Sequence, residues 1–351
     1  MKERLESIDI LRGADMFLLL FLGPVLRNIC KLFPDNMSWL SHQLQHVPWE
    51  GFAVWDIIMP LFLFLSGITI PFSMTKYKNG LRPDGKFYVK LLRRFFLLFF
   101  LGWIVQGNLL MWDWKMFHPF ANTLQAIAVG YVITALLFVH TDLKWQIVAC
   151  CILFITFFAF FALTGMNTNP QENVAMMIDK AVLGPHRDGV EWAADGTWRF
   201  MKRYQYTWVL SSLNFAVTVL LGCFAGQTLK SEKRTPQARA AILAFAGAAL
   251  VAAGLLLSPV FPIIKKIWSS SMTLYSGGIC FLLIALTYYI VDVHHWGKGL
   301  SWLKIYGMNA ITAYCLGELL SYQNLAQAIG NALLLFVLLL LMYKNKLFLK
   351  V

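Results

Sequence analysis

The most chemically loaded stretch of this chain is His42-Gln-Leu-Gln-His46-Val-Pro-Trp49-Glu50-Gly51-Phe-Ala-Val-Trp-Asp56. It stands immediately before a long apolar run from Ile57 to Ile70. Histidine titrates near neutral pH, so His46 could serve as a general base or as a nucleophile. Such a histidine needs a group to hold its tautomer, and Glu50 and Asp56 are the local carboxylates. His42, one helical turn away, is a weaker candidate for the same work. Bland readings stand beside these. His46 could be a solvated loop histidine next to an interfacial tryptophan, and Asp56 could cap the helix that follows, where the helix dipole favours an acid.

Further polar groups punctuate the apolar sequence. Asp9 and Arg12 are three residues apart and could pair on one helix face, while Asp15 lies deeper and needs a partner or a polar cavity. Arg93 and Arg94 open another apolar run; arginine there either snorkels to headgroups or forks a phosphate. Lys265, Lys266, Trp268 and Ser271 crowd a short segment between two apolar runs. Asn309, in Tyr306-Gly-Met-Asn-Ala310, must find hydrogen-bond partners if buried. Ser66-Gly67 lies inside an apolar run without the frame of a nucleophile elbow. His294-His295 lacks a further ligand at useful spacing, and no metal is expected.

The elements that must position these groups are membrane spans. Of 351 residues, 58% are hydrophobic and 14% charged, and the mean hydropathy is +0.61. Soluble domains are about a quarter charged. A helix crossing a bilayer needs about 20 apolar residues, and helices leave no backbone group unpaired in lipid. The pattern predicts an all-α polytopic membrane protein forming one domain over 1–351, with ten spans near 8–30, 52–74, 91–111, 122–140, 145–165, 208–229, 238–260, 272–292, 302–320 and 326–345. The first is read as a span rather than a cleaved signal, since no small-residue cleavage site follows it.

The net charge is +12, from 30 Lys+Arg against 18 Asp+Glu. The cations sit in short loops between apolar runs, so no nucleic-acid partner is expected. Lys76, Lys78, Arg82, Lys86 and Lys90 lie after span 2, Lys230, Lys233, Arg234 and Arg239 after span 6, and Lys344, Lys346 and Lys350 at the C-terminus. Ten spans put all three groups on one side, which the positive-inside rule makes cytoplasmic. Both termini are then inside, and His46 outside with Lys265 and Lys266, which break the trend. The long 166–207 segment also falls outside, with Trp192, Trp198, Arg203, Tyr204 and Tyr206; it reads as an acceptor cap or as a solvated ordered loop. The six cysteines lie in or beside apolar runs and imply no disulfide framework.

Six segments in order resemble the heparan-α-glucosaminide N-acetyltransferase family of transmembrane acyltransferases, in particular its bacterial branch. They are Arg4-Leu-Glu-Ser-Ile-Asp-Ile-Leu-Arg-Gly13, His46 through Pro60, Leu91-Leu-Arg-Arg94, Asn122-Thr-Leu-Gln-Ala-Ile127, Lys265-Lys-Ile-Trp-Ser-Ser-Ser271 and Gly307-Met-Asn-Ala310. The resemblance does not include the family's lumenal N-terminal domain. It implies acetyl-CoA as donor on the cytoplasmic side, a sugar or glycan acceptor on the far side, a bacterial inner membrane and a homodimer. It puts the active histidine at His46, with Asp56 or Glu50 as its orienting acid. It implies cofactor contacts from Arg12, Arg93, Arg94 and Asn309, and acceptor contacts from Trp49, Lys265, Lys266, Trp268 and Ser271. One position departs: the lysosomal enzymes carry an active-site asparagine eleven residues after the Arg of the Arg-Gly pair, and Gly23 stands there in this chain.

The expected activity is transfer of an acetyl group from cytoplasmic acetyl-CoA to a periplasmic amine or hydroxyl. The alternative is a transporter or flippase without acyl chemistry, which would place ionisable groups near the bilayer midplane.

Overall fold

The computed structural model describes residues 5–33, 36–78, 80–202, 205–320 and 322–349. Arg4, Arg203, Tyr204 and Lys350 lie outside the described residues. Among the described residues the fold is all-α apart from one short hairpin. Among the described residues, seven helices are long and apolar enough to cross a membrane: Val54–Lys78, Thr123–His140, Leu143–Leu163, Ser212–Lys230, Pro236–Leu257, Ser270–Val293 and Leu325–Lys344. Each falls within a few residues of an expected span.

The other three expected spans are helical but broken or charged. The first is α1 (Glu6–Phe17) and α2 (Gly23–Leu32), joined by a π-helical turn at Leu18–Leu22. After the short α3 (Ser38–Gln43) and α4 (Ile58–Lys78), α5 runs over Gly85–Val105 rather than 91–111. Its start carries Lys86, Lys90, Arg93 and Arg94, and residues 106–122 leave the helix in turns where Asn108 and Trp112 adopt positive φ. Hydropathy alone cannot see that break. The helices α6 (Thr123–His140) and α7 (Leu143–Leu163) follow.

The 166–207 segment is not a plain loop. It folds as α8 (Val174–Leu183) and an antiparallel hairpin, β1 (Val190–Trp192) against β2 (Trp198–Phe200), with Glu191 opposite Arg199. Then come α9 (Ser212–Lys230), α10 (Pro236–Leu257) and α11 (Ser270–Tyr288). The expected span at 302–320 divides into α12 (Lys304–Met308) and α13 (Ala310–Glu318), parted at Asn309, before α14 (Leu325–Lys344).

The centre of the bundle is α4 packed on α9, with α6 against both. Small residues let backbones approach in helical membrane proteins, where lipid is as apolar as leucine. Gly222 and Gly226, four apart on α9, do this here: a Cβ added at Gly222 would lie 1.9 Å from the Phe64 carbonyl oxygen, and one at Gly226 2.4 Å from that of Ile68. Gly13 and Gly307 play the same part between α1 and α12, meeting the carbonyls of Leu303 and Asp9. These close contacts fix the wall that α4 presents to the site.

Candidate active site

Asp56 organises the His46 loop. It is fully buried in the 3₁₀ turn Val54–Ile57 that opens α4. Its Oδ2 accepts the backbone N–H of Ala53 at 3.0 Å and of Val47 at 3.4 Å, tying both ends of the loop to the helix start. Its Oδ1 lies 2.7 Å from His46 Nδ1. The capping and catalytic readings of Asp56 are therefore compatible, one per oxygen.

Lys265 completes the group. It is 6% exposed, and its Nζ lies 3.0 Å from His46 Nδ1 and 3.4 Å from Asp56 Oδ1. An ammonium has donors only, so it cannot share Nδ1 with a carboxylate unless that nitrogen's proton is placed. The short 2.7 Å contact assigns Nδ1–H to Asp56, and Lys265 then donates to Asp56 Oδ1. The lone pair of His46 is left on Nε2. Although 41% of the His46 side chain is exposed, desolvation by the surrounding protein holds its imidazolium below its ordinary pKa, the positive charges of Lys265 and Arg27 push the same way, and the Asp56 hydrogen bond opposes them. Burial likewise pulls Lys265 down to about 8, against the attraction of Asp56. His46 is thus a neutral imidazole near neutral pH, the form a base requires.

The loop that carries Lys265 is pinned to α9. Ser211 Oγ donates to the Ile267 carbonyl at 3.0 Å and Asn214 Nδ2 to that of Trp268 at 2.8 Å. Ser271 and Ser269 both donate to the Pro262 carbonyl. Trp268 is buried at φ 53° with its indole N–H on Thr218. Trp268 and Ser271, expected to touch acceptor, are both buried, with their side chains bonded to Thr218 and to the Pro262 carbonyl. Trp49 donates to the Thr168 carbonyl at 3.1 Å and packs on the Phe157–Phe161–Phe261 cluster. Lys266 donates to the Pro48 carbonyl at 2.6 Å and to Gln205 at 3.0 Å. Glu50 is exposed on the loop, and the orienting position against His46 is taken by Asp56.

His46 and Lys265 line a cavity of about 490 Å³ with Trp55, Tyr206, Trp208 and Tyr314. Further polar groups in its wall were not legible beforehand: Gln106, Asn108 and His118 come from the broken segment after α5, Thr123 from the start of α6, Asp188 from the α8–hairpin segment, and Glu318 from α13. Asp188 accepts the Trp208 indole N–H at 3.1 Å, and Gln106 donates to Glu318 at 3.0 Å. Gly23 has a physical reason. A Cβ there would lie 2.1 Å from the Trp55 ring, whose face carries the Arg27 guanidinium at 4.3 Å. Any side chain at 23 would displace an aromatic wall of this cavity.

A second cavity, of about 730 Å³, opens at the other end of α4. Arg12, Lys76, Lys90, Arg93 and Arg94 line it, and none of its described lining residues is an acid. Arg94 stacks on Tyr131 at 3.8 Å, and Arg12 lies 4.0 Å from Asp9. Asn309 is in its wall, 2% exposed. Phe62 lines both cavities. From Phe62 to Lys76 the helix rises about 21 Å. Among the described residues no histidine, cysteine and carboxylate side chains group as a metal site would require.

Fold and site define a polytopic helical membrane protein with a histidine–carboxylate–lysine group at one end and a basic cavity at the other. No protein-family model matches the chain. It is 24% identical to the mouse (Mus musculus) heparan-alpha-glucosaminide N-acetyltransferase, over 99% of this chain and 60% of that protein. It is 30% identical to the human (Homo sapiens) protein of the same name, over 38% of this chain and 19% of that one. The chain is a distant homologue of heparan-alpha-glucosaminide N-acetyltransferase, spanning about 60% of the mouse relative's length.

Proposed function

We propose that the protein is a membrane acetyltransferase. It would take acetyl-CoA from the cytoplasmic side of a bacterial inner membrane and acetylate an amine or hydroxyl of a sugar or glycan on the periplasmic side. The observation that carries this reading is the pair of cavities, one basic and one holding His46, which share Phe62 in their walls. The basic cavity fits a phosphorylated donor, because Arg12, Lys76, Lys90, Arg93 and Arg94 line it without a described acid. Arginine forks match phosphate oxygens. Acetyl-CoA, when bound, supplies an activated thioester. His46 Nε2 takes the proton of the attacking amine or hydroxyl, and Asp56 holds the tautomer and stabilises the imidazolium that forms. Lys265 lines the same cavity and would bring positive charge to the negative charge that develops there.

The three broken or charged segments complete a ten-span topology in this reading, with both termini cytoplasmic and the α8–hairpin segment over the acceptor cavity. A homodimer and a single transmembrane domain belong to the same proposal. Asp15 favours the transporter alternative, since it is buried in α1 and neither carboxylate oxygen has a hydrogen-bond partner among the described residues.

The experiment is acetyl-CoA binding and turnover by purified protein in detergent, wild type against His46→Ala. The proposal expects binding by both and turnover lowered about 10²–10⁴-fold in the variant. Folded wild type that does not bind acetyl-CoA would put the transporter in its place.

A further inference from the structure

The basic cavity has a second feature that its charge does not explain. Three hydroxyls stand in its wall on α4, at Ser66, Thr69 and Ser73. Their spacing of three and four residues puts them on one helix face, over about 10 Å of rise. Each already gives its proton to its own helix: Ser66 to the Leu63 carbonyl at 2.6 Å, Thr69 to that of Ser66 at 2.7 Å, Ser73 to that of Thr69 at 3.0 Å. A hydroxyl has one proton and two lone pairs, so each offers the cavity an acceptor. An acceptor suits a ligand N–H and is wrong for an ionised phosphate oxygen.

Asn309, in the wall of the same cavity, is the independent sign of a ligand. It parts α12 from α13 and is 2% exposed, yet neither Nδ2 nor Oδ1 has a hydrogen-bond partner among the described residues. Buried amides are nearly always bonded. An orphaned carboxamide beside hydroxyl acceptors matches a neutral ligand segment that carries both N–H and C=O groups.

We propose that Ser66, Thr69 and Asn309 clamp the two secondary amides of the pantetheine arm of the donor. The hydroxyl oxygens accept amide N–H groups, and Asn309 Nδ2 donates to an amide carbonyl. The clamp rests on the acetyl-CoA reading and adds a division of labour to it. The cations hold the nucleotide, and the amide groups read the arm and set how far the thioester reaches toward Phe62.

The test compares CoA with adenosine 3′,5′-bisphosphate, which keeps the charged nucleotide and lacks the arm, by calorimetry on purified protein. Asn309→Leu and the double variant Ser66→Ala/Thr69→Val are measured beside the wild type. The double variant keeps volumes close and guards against misfolding of the first. Each lost bond should weaken CoA by about three- to tenfold and leave the bisphosphate unchanged. Equal weakening of both ligands, or unchanged CoA affinity in the double variant, overturns the clamp. Wild type that binds neither ligand overturns the acetyl-CoA reading itself, a result separable from the first two.

Discussion

Asp56→Asn tests the active group most sharply, because the geometry dictates which way the new amide must point. Two backbone donors, Ala53 N–H and Val47 N–H, face Oδ2. The asparagine oxygen must take that side, which turns its NH₂ toward His46 Nδ1, 2.7 Å from the present Oδ1. The imidazole then accepts at Nδ1 and carries its proton on Nε2. It can no longer take a proton from an acceptor, although its position is kept. The expected loss in kcat is that of a general base, about 10²–10⁴, or about 2.7–5.5 kcal/mol of transition-state stabilisation. KM for acetyl-CoA should hardly move, because the basic cavity contains neither residue. The assay is thiol release from acetyl-CoA with a panel of amino and neutral sugars as acceptors, on protein shown to be monodisperse in detergent. Glu50→Gln is the matched control and should stay within about threefold of wild type, since Glu50 does not hold the imidazole. Asp56→Asn at near wild-type rate would refute the tautomer argument. A large loss in Glu50→Gln would give Glu50 the role assigned to Asp56.

Three further outcomes follow from the same geometry. His46 acts only when neutral, so kcat/KM should rise with pH through a value below the ordinary 6.5; Lys265→Met removes a charge that pushes His46 down, so the rising limb should move to higher pH in a pH–rate profile. If the Lys265 ammonium assists, the wild-type rate falls again above about 8, and that falling limb is missing in Lys265→Met. Arg93→Ala/Arg94→Ala should weaken acetyl-CoA by at least about tenfold in calorimetry, less so at high salt, because charge-assisted bonds and screened attraction are lost together. Gly222→Val should abolish a monodisperse peak in size-exclusion chromatography, since its Cβ would lie 1.9 Å from the Phe64 carbonyl oxygen and neither helix can yield without opening the α4–α9 contact.

The chain by itself determined the solvent of this protein. Apolar runs of about 20 residues leave only helices in a bilayer, and seven of the ten expected spans coincide with long apolar helices. His46 stood out in the sequence as a titratable group beside an apolar run, and the family resemblance rather than its spacing singled it out. Composition could not choose between Glu50 and Asp56, because a tautomer partner is selected by distance. It could not give Lys265 its place either, 219 residues from His46 and brought to 3.0 Å by a loop bonded to α9. The acceptor contacts at Trp268 and Ser271 came from the family resemblance, and only the fold shows that both side chains are buried in the loop that carries Lys265. The breaks at Leu18–Leu22, after Val105 and at Asn309 were invisible for a related reason. Hydropathy sums over a window and takes no account of a lost backbone hydrogen bond. The tertiary structure alone decided that the turn opening α4 brings Asp56 to His46 while the other end of α4 lines the basic cavity, because only packing sets which helix faces enclose one space.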